Sequence, residues 1–287
     1  MSAPALTMRP AMTGWPLWMR QTSAILRVEL RKNFITARGF WIYLLALAPA
    51  ALVWMHSIDA VIRGNRHSLN NDTEVMAGIF QIFFLRPAVF FGCVGIFTYL
   101  FRGEMVERSL HYYFLAPVRR EVLAAGKYLA GLITAAFFFC GSIALTFTGM
   151  YYHYSAQERD FFLGSGGYQH LAAYVSITAL ACMAYGALFL FLGIRYRNPV
   201  IPAVTLLFWE SLNLFLPAWL RKFSILYYLR SMTPVELSLR GPGALLGAVA
   251  EPVSAWIAVP SLFVITAMLL MLAVRQLKIT EISYSSD

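Results

Sequence analysis

Six runs of apolar residues, near positions 39–58, 79–101, 128–150, 171–194, 199–220 and 254–274, restrict this chain more than any other feature of it. A helix needs about 20 such residues, at a rise of about 1.5 Å each, to cross a hydrocarbon core about 30 Å thick. Each run is long enough. No water reaches the backbone inside a bilayer, so each run must satisfy its own N–H and C=O groups by coiling into a helix. Composition agrees, with 59% hydrophobic and 13% charged residues, against about 25% charged in ordinary soluble domains. The expected fold is an all-α integral membrane protein of six transmembrane helices, organised as a single domain over 1–287. No internal repeat, low-complexity tract or soluble domain stands out.

The 23 Lys and Arg exceed the 14 Asp and Glu. In a soluble domain this excess would suggest nucleic acid, but here the cations gather at the edges of the apolar runs, which is a sign of membrane topology. Counted on the expected spans, 15 Lys and Arg fall on the side of the two termini and 7 on the other, with Arg86 inside a span. Because basic loops stay on the cytoplasmic side, both termini are expected there. Residues 1–14 lack the charged start, apolar centre and small-residue cleavage site of a secretory signal, so no processing is expected.

Between Trp15 and Arg38, Trp18, Met19, Leu26, Leu30 and Phe34 lie toward one side of a helix, and Arg20, Arg27 and Arg31 toward another. That pattern suits a helix lying in the membrane interface, or a solvated helix that packs on a partner. Arg195, Tyr196, Arg197 and Asn198 separate the fourth and fifth runs, with Pro199 at a tolerated first-turn position, so a tight helical hairpin is expected. The segment 221–253 holds four basic residues on the outer side, against the topology rule, and two apolar stretches too short to cross, Phe223–Leu229 and Ala244–Val249. Breakers stand at Pro234, Gly241, Pro242, Gly243 and Pro252. Two short re-entrant helices in the outer leaflet fit this segment, as does a soluble outer cap.

The motifs of several enzyme classes are missing. There is no HExxH, no GxSxG elbow and no GxxxxGK[ST] phosphate loop, since Gly126-Lys127 is followed by Tyr128. Any ATP must be handled by another chain. Cys93, Cys140 and Cys182 sit inside apolar runs without metal-ligand spacing and read as small core residues. His56, His67, His153 and His170 fall on the expected outer side near several carboxylates, without a tight ligand spacing beyond His56 and Asp59. No metal site is assigned. Two charges, Arg86 and Glu210, lie inside spans, where insertion costs on the order of 2.5–3.5 kcal/mol. Either they line or gate a polar path, or they form a structural ion pair that locks two helices together. Pro87, beside Arg86, is placed to kink the second span. Phe83, Phe84, Phe90 and Phe91, with Trp209, Ser211 and Asn213, surround these charges on the second and fifth spans.

The stretch Arg102–Lys127 is polar between two long apolar runs, with eight of its 26 residues charged. Val106, Leu110, Tyr113 and Phe114 recur at the spacing of one helical face, and Glu104, Glu107, Arg108 and His111 fall mainly opposite. Pro117 stops this helix, and Arg119 and Arg120 begin the next segment. The order Glu104, Ser109, Leu110, Pro117, Val118, Arg120, Gly126 and Lys127 resembles the cytoplasmic loop of ABC-2 type (type-2 exporter) ABC transporter permeases, whose pattern runs E, GT-L, P, R, GK. An amino-terminal Glu29-Leu30 helix, six spans, the short turn after the fourth, and MTPVEL at 232–237 are similar as well. One departure is Arg108-Ser109, where the family has Gly-Thr.

The resemblance implies the permease subunit of an ATP-driven exporter in a bacterial cytoplasmic membrane. A coupling helix over 103–116 would rest in a groove of a separate ATP-binding subunit. Glu104, Glu107, Arg108, Ser109, His111, Pro117, Arg120 and Lys127 would form the coupling region. ATP and Mg would be held by that partner, with no cofactor on this chain and no nucleic acid. A second permease copy would complete a homodimer among membrane lipids. The second and fifth spans would line the path, placing Arg86, Phe90, Trp209, Glu210 and Asn213 along it. The competing expectation is a membrane-embedded scaffold that docks a non-ATPase partner through the same loop; an intramembrane enzyme of unfamiliar chemistry is the weaker third.

Overall fold

Helices that satisfy their own backbone account for every regular element among the residues described by the computed structural model, 14–35, 39–64, 68–212, 215–235 and 252–279. In chain order, α1 spans Trp15–Ile35, α2 Gly39–Arg63, α3 Leu69–Gly78, α4 Phe90–Val106, α5 Leu110–Leu115 and α6 Arg120–Met150. Then α7 covers Ala156–Phe162, α8 Tyr168–Arg195, α9 Val200–Ser211, α10 Ala218–Arg221, α11 Ile225–Ser231 and α12 Ala255–Ile279. Five helical stretches are long and apolar enough to cross a membrane. The chain is therefore all-α, with the character of a multi-pass membrane protein.

Two of the long stretches carry an irregular turn whose cause is visible in the sequence. Ile79–Val89 joins α3 to α4 as a π-helical segment containing Pro87. Proline has no N–H to donate and its ring crowds the carbonyl four residues earlier; a widened turn absorbs the misfit, and the helix runs on from Leu69 to Val106. Between α7 and α8, Gly166 takes a φ of 132°. Side chains rarely tolerate that conformation, so a glycine makes the bend.

The core lies where α4, α6 and α8 cross. Between apolar helices in lipid there is little hydrophobic force, and close packing over small residues holds them together instead. Phe97 of α4 lies against Gly131 of α6 and Gly186 of α8, so closely that a Cβ on either would come within 2.7 and 2.4 Å of its ring. Gly193 brings α8 directly onto the backbone of Thr98. Hydrogen bonds fasten α2 to α6, with the Ser142 hydroxyl donating to the Ala46 carbonyl, Ser57 to Gly149 and the Trp54 indole to Leu145. Cys93 and Cys182 are buried and Cys140 half-buried, all as free thiols.

Three segments refine the expectations. Of the fifth apolar run, continuous helix covers Val200–Ser211, 12 residues. That is about 18 Å of helix, short of a core of about 30 Å. Pro217 then opens the separate turn α10, and residues 213–214 lie outside the described residues. Within 221–253, Ile225–Arg230 is buried inside the bundle, and Ala244–Val249 lies outside the described residues. In α1 the inward face is Ile25 and Glu29, with Met19 60% exposed. It packs along α6, where Asn33 donates to Thr134 and Ile25 fills the space beside Gly126.

Candidate functional site

Lys127 organises one end of the bundle. It is fully buried, a position an ammonium holds only when paired and hydrogen-bonded. All three of its donors are met: its Nζ lies 2.7 Å from Glu29 Oε1, 2.9 Å from Glu104 Oε1 and 2.9 Å from the Leu100 carbonyl. Lys32 approaches the same two carboxylates from the rim, at 2.9 Å from Glu104 and 3.4 Å from Glu29. Tyr113 donates its hydroxyl to Glu29 at 3.2 Å, and its ring lies 4.9 Å from the Lys127 ammonium. Two carboxylates and two ammoniums alternate, so the cluster is neutral. It draws one residue or more from each of α1, α4, α5 and α6.

The electrostatics follow from this geometry. Burial by itself would raise the Glu29 carboxyl, but Lys127 and then Lys32 outweigh it and hold the group below its ordinary value. Lys32 is pushed the other way: burial would lower it, yet the hydrogen bond to Glu104 and the charge of Glu29 hold it well above the usual lysine range. Burial, followed by the charges of Glu104 and Glu29, pushes the Tyr113 phenol up to about 12. The two lysines thus offset the cost of burying the Glu29 carboxylate.

A second set of bonds extends from the clamp to the last helix. The Arg120 guanidinium donates to the carbonyls of Leu277 and Lys278, both at 2.7 Å, where the end of α12 presents unpaired carbonyls and partial negative charge. It also lies 4.5 Å from the Phe114 ring. Lys278 pairs with Glu121 at 2.5 Å. Gln21 donates to the Pro117 carbonyl at 3.1 Å, and Arg119 sits 4.5 Å over the Trp18 ring.

The expected unbroken helix over 103–116 is two helices. α4 stops at Val106, and α5 begins at Leu110. Between them Arg108 has a φ of 55°, the left-handed region that glycine enters freely and other residues enter at a cost of about 1–2 kcal/mol. The bend also breaks the helical phase: Val106 is 67% exposed, whereas Leu110 is buried and Tyr113 and Phe114 half-buried. Glu104 faces inward to Lys127; Ser109 closes the turn by donating its N–H to the Glu104 carbonyl at 2.9 Å. Glu107 accepts from the Tyr99 hydroxyl at 2.6 Å, and the His111 ring lies tilted against Tyr112, its centroid 3.9 Å away. Tyr112 and Leu115 project outward, 68% and 80% exposed. Glu29 and Lys32 were missed as site residues. The available signal was a carboxylate four residues after Ile25, on the face that α1 buries.

The charges of the second and fifth runs form a separate group, about 20 Å along the helix from the Leu100 level of the clamp. Glu210 is buried, and its Oε1 accepts from the N–H groups of Ile225 and Leu226 at 3.1 and 3.2 Å and from Ser224 Oγ at 3.5 Å. Its Oε2 accepts from the Tyr185 hydroxyl at 2.6 Å. Glu210 therefore caps the start of α11. The direct Arg86–Glu210 ion pair is not formed, although Arg86 lies within reach of its field. Phe90 is buried edge-on against Tyr185 at 5.3 Å and Phe189 at 4.9 Å, and Trp209 is half-buried. Asn213 lies outside the described residues. A cation not foreseen, Arg230, is brought into range of both Arg86 and Glu210. Its signal was its position in the segment that breaks the topology rule.

His153 Nε2 lies 3.3 Å from Asp72 Oδ2, which also accepts from the Tyr154 hydroxyl at 3.1 Å. Among the described residues no group of three or more metal-ligating side chains comes together, and His67 lies outside them. Compared with known proteins, the sequence matches no family model and no curated protein.

Proposed function

We propose that this chain is the transmembrane subunit of an ATP-driven exporter, moved by a separate ATP-binding subunit that docks on the 107–119 turn. The observation that carries this reading is the clamp around Lys127. A short turn with exposed Val106, Tyr112 and Leu115 offers a docking knob, and the groups behind it are bonded to α1, α4 and α6 through Glu29, Glu104 and Lys127 and to α12 through Arg120. A push on that knob is transmitted to several helices at once, because buried ion pairs resist separation. In this reading the turn and both termini face the cytoplasm, ATP and Mg sit on the partner, and a second copy of the chain completes the translocating dimer. Arg86 and Glu210 then lie along the path from the clamp toward the far side.

The test is co-purification of an ATP-hydrolysing subunit with this chain, from membranes at native expression. Tyr112→Ala with Leu115→Ala should reduce recovery of that subunit at least tenfold while the melting temperature of the permease stays within about 1 °C of wild type. Both residues are exposed, so folding does not depend on them. Unchanged recovery, or a partner without ATPase activity in its place, refutes the exporter reading in favour of a scaffold.

A further inference from the structure

We infer that Arg86 and Arg230 form a binding site for a phosphate group. A guanidinium stays charged in proteins, so neither residue escapes burial by losing a proton. Arg230 is 7% exposed, and its Nε and Nη2 find no hydrogen-bond acceptor among the described residues; Arg86 is half-buried, and its Nε finds none there either. Buried donors left unmet are costly, and more so when charged. The carboxylate that both cations feel is Glu210, but its two oxygens are taken by Tyr185, Ser224 and the N–H groups of Ile225 and Leu226. The unmet guanidinium donors are therefore left without a carboxylate oxygen to bond, and the oxygens of a phosphate group would meet them.

The arrangement is held in place. Gln81, on the same π-helical segment as Arg86, donates to Thr233 Oγ1 at 3.2 Å and to the Val235 carbonyl at 3.1 Å. Thr233 in turn donates to the Arg230 carbonyl at 2.8 Å. The two backbones are tied together beside the two cations, which prevents the like charges from moving apart. The planar fork of arginine matches phosphate oxygens. A tetrahedral group offers oxygens on more than one face, as two separate guanidiniums require, whereas a carboxylate offers one plane. Because Arg230 is enclosed and Arg86 reaches the surface of the bundle, the phosphate enters from the Arg86 side. The site requires the membrane-embedded fold and not the transport reading.

The full-length protein in dodecyl maltoside, free of phosphate, is titrated with dioctanoyl phosphatidylglycerol, with inorganic phosphate, and with dioctanoylglycerol as the uncharged control, following the melting temperature. A saturable rise with the phospholipid and none with dioctanoylglycerol is expected, and Arg86→Gln and Arg230→Gln should each weaken apparent affinity at least tenfold. Saturation by inorganic phosphate as well would support the site and identify the free anion as a sufficient ligand; a response to the phospholipid alone would identify a lipid headgroup. Without ligand, Arg230→Gln should melt no lower than wild type, because it removes one of two like charges. If neither Gln variant folds, Arg86→Lys carries the test, with a several-fold loss expected from the missing fork. Absence of saturable binding to either phosphate probe, or affinity unchanged in the folded variants, overturns the site. Neither result bears on docking of an ATPase at the 107–119 turn, which is read separately.

Discussion

Replacing Lys127 by methionine tests the clamp most directly, because the side chain is nearly isosteric and only the charge and its three bonds are lost. Glu29 and Glu104, 3% and 5% exposed, are then left with Lys32 alone. Lys32 balances one carboxylate, so the other must take up a proton. Moving its ionisation from 4.5, the ordinary value, to pH 7 costs about 3.4 kcal/mol, at about 1.36 kcal/mol per pH unit. That agrees with the about 3–5 kcal/mol typical of a broken buried pair. At pH 5 the same proton costs about 0.7 kcal/mol. In tryptophan-fluorescence melts of the detergent-solubilised protein, Lys127→Met should therefore lose about 7–14 °C at pH 7 and about 1–3 °C at pH 5. Adding Glu104→Gln should restore most of the loss. The wild type should show the matching profile. Because the Glu29 carboxyl is lowered, its contribution is present above 4.5 and is lost as pH falls below that. Because Lys32 is raised, its contribution is present below 10.5 and fades as pH climbs past it. A Lys127→Met variant that melts within about 2 °C of wild type at pH 7, or that loses as much at pH 5 as at pH 7, would refute the argument.

Two further substitutions probe the backbone. Arg108→Gly relieves a left-handed residue at a cost in chain freedom, so a net gain of about 0.5–1 kcal/mol is expected as a higher melting temperature; a lower one would show that the Arg108 side chain contributes more than its backbone costs. Gly193→Ala would place a methyl 2.8 Å from Thr98 Cα and 2.9 Å from its carbonyl oxygen. Backbone cannot step aside, and a loss of about 1–3 kcal/mol is expected. Gly141→Ala, with no atom within 4 Å of the added Cβ, is the matched control, and equal melts for the two would contradict the close crossing of α4 and α8.

What the sequence determined by itself is what depends on length and local chemistry. Apolar runs must coil in lipid, whatever surrounds them, so the all-α membrane character and most helix positions were readable. Pro199, Pro217 and Gly166 act on their own backbone, and the stops and bends they impose are local. The Arg102–Lys127 stretch was recognisable as a built segment because its charges interrupt apolar helices. Tertiary structure decided where each of those charges points. Glu104 and Lys127 are 23 positions apart and Glu29 is 75 before Glu104; a carboxylate becomes a partner when packing of α1 on α6 brings it within 3 Å, and helical periodicity by itself assigned Glu104 to the exposed side. The same holds at the other group. Arg86 and Glu210 looked like a pair because opposite charges attract, yet the carboxylate went to the N–H groups at the start of α11, and donors of Arg86 and Arg230 were left without an acceptor among the described residues. Charge identity was legible in the chain; charge balance belonged to the fold.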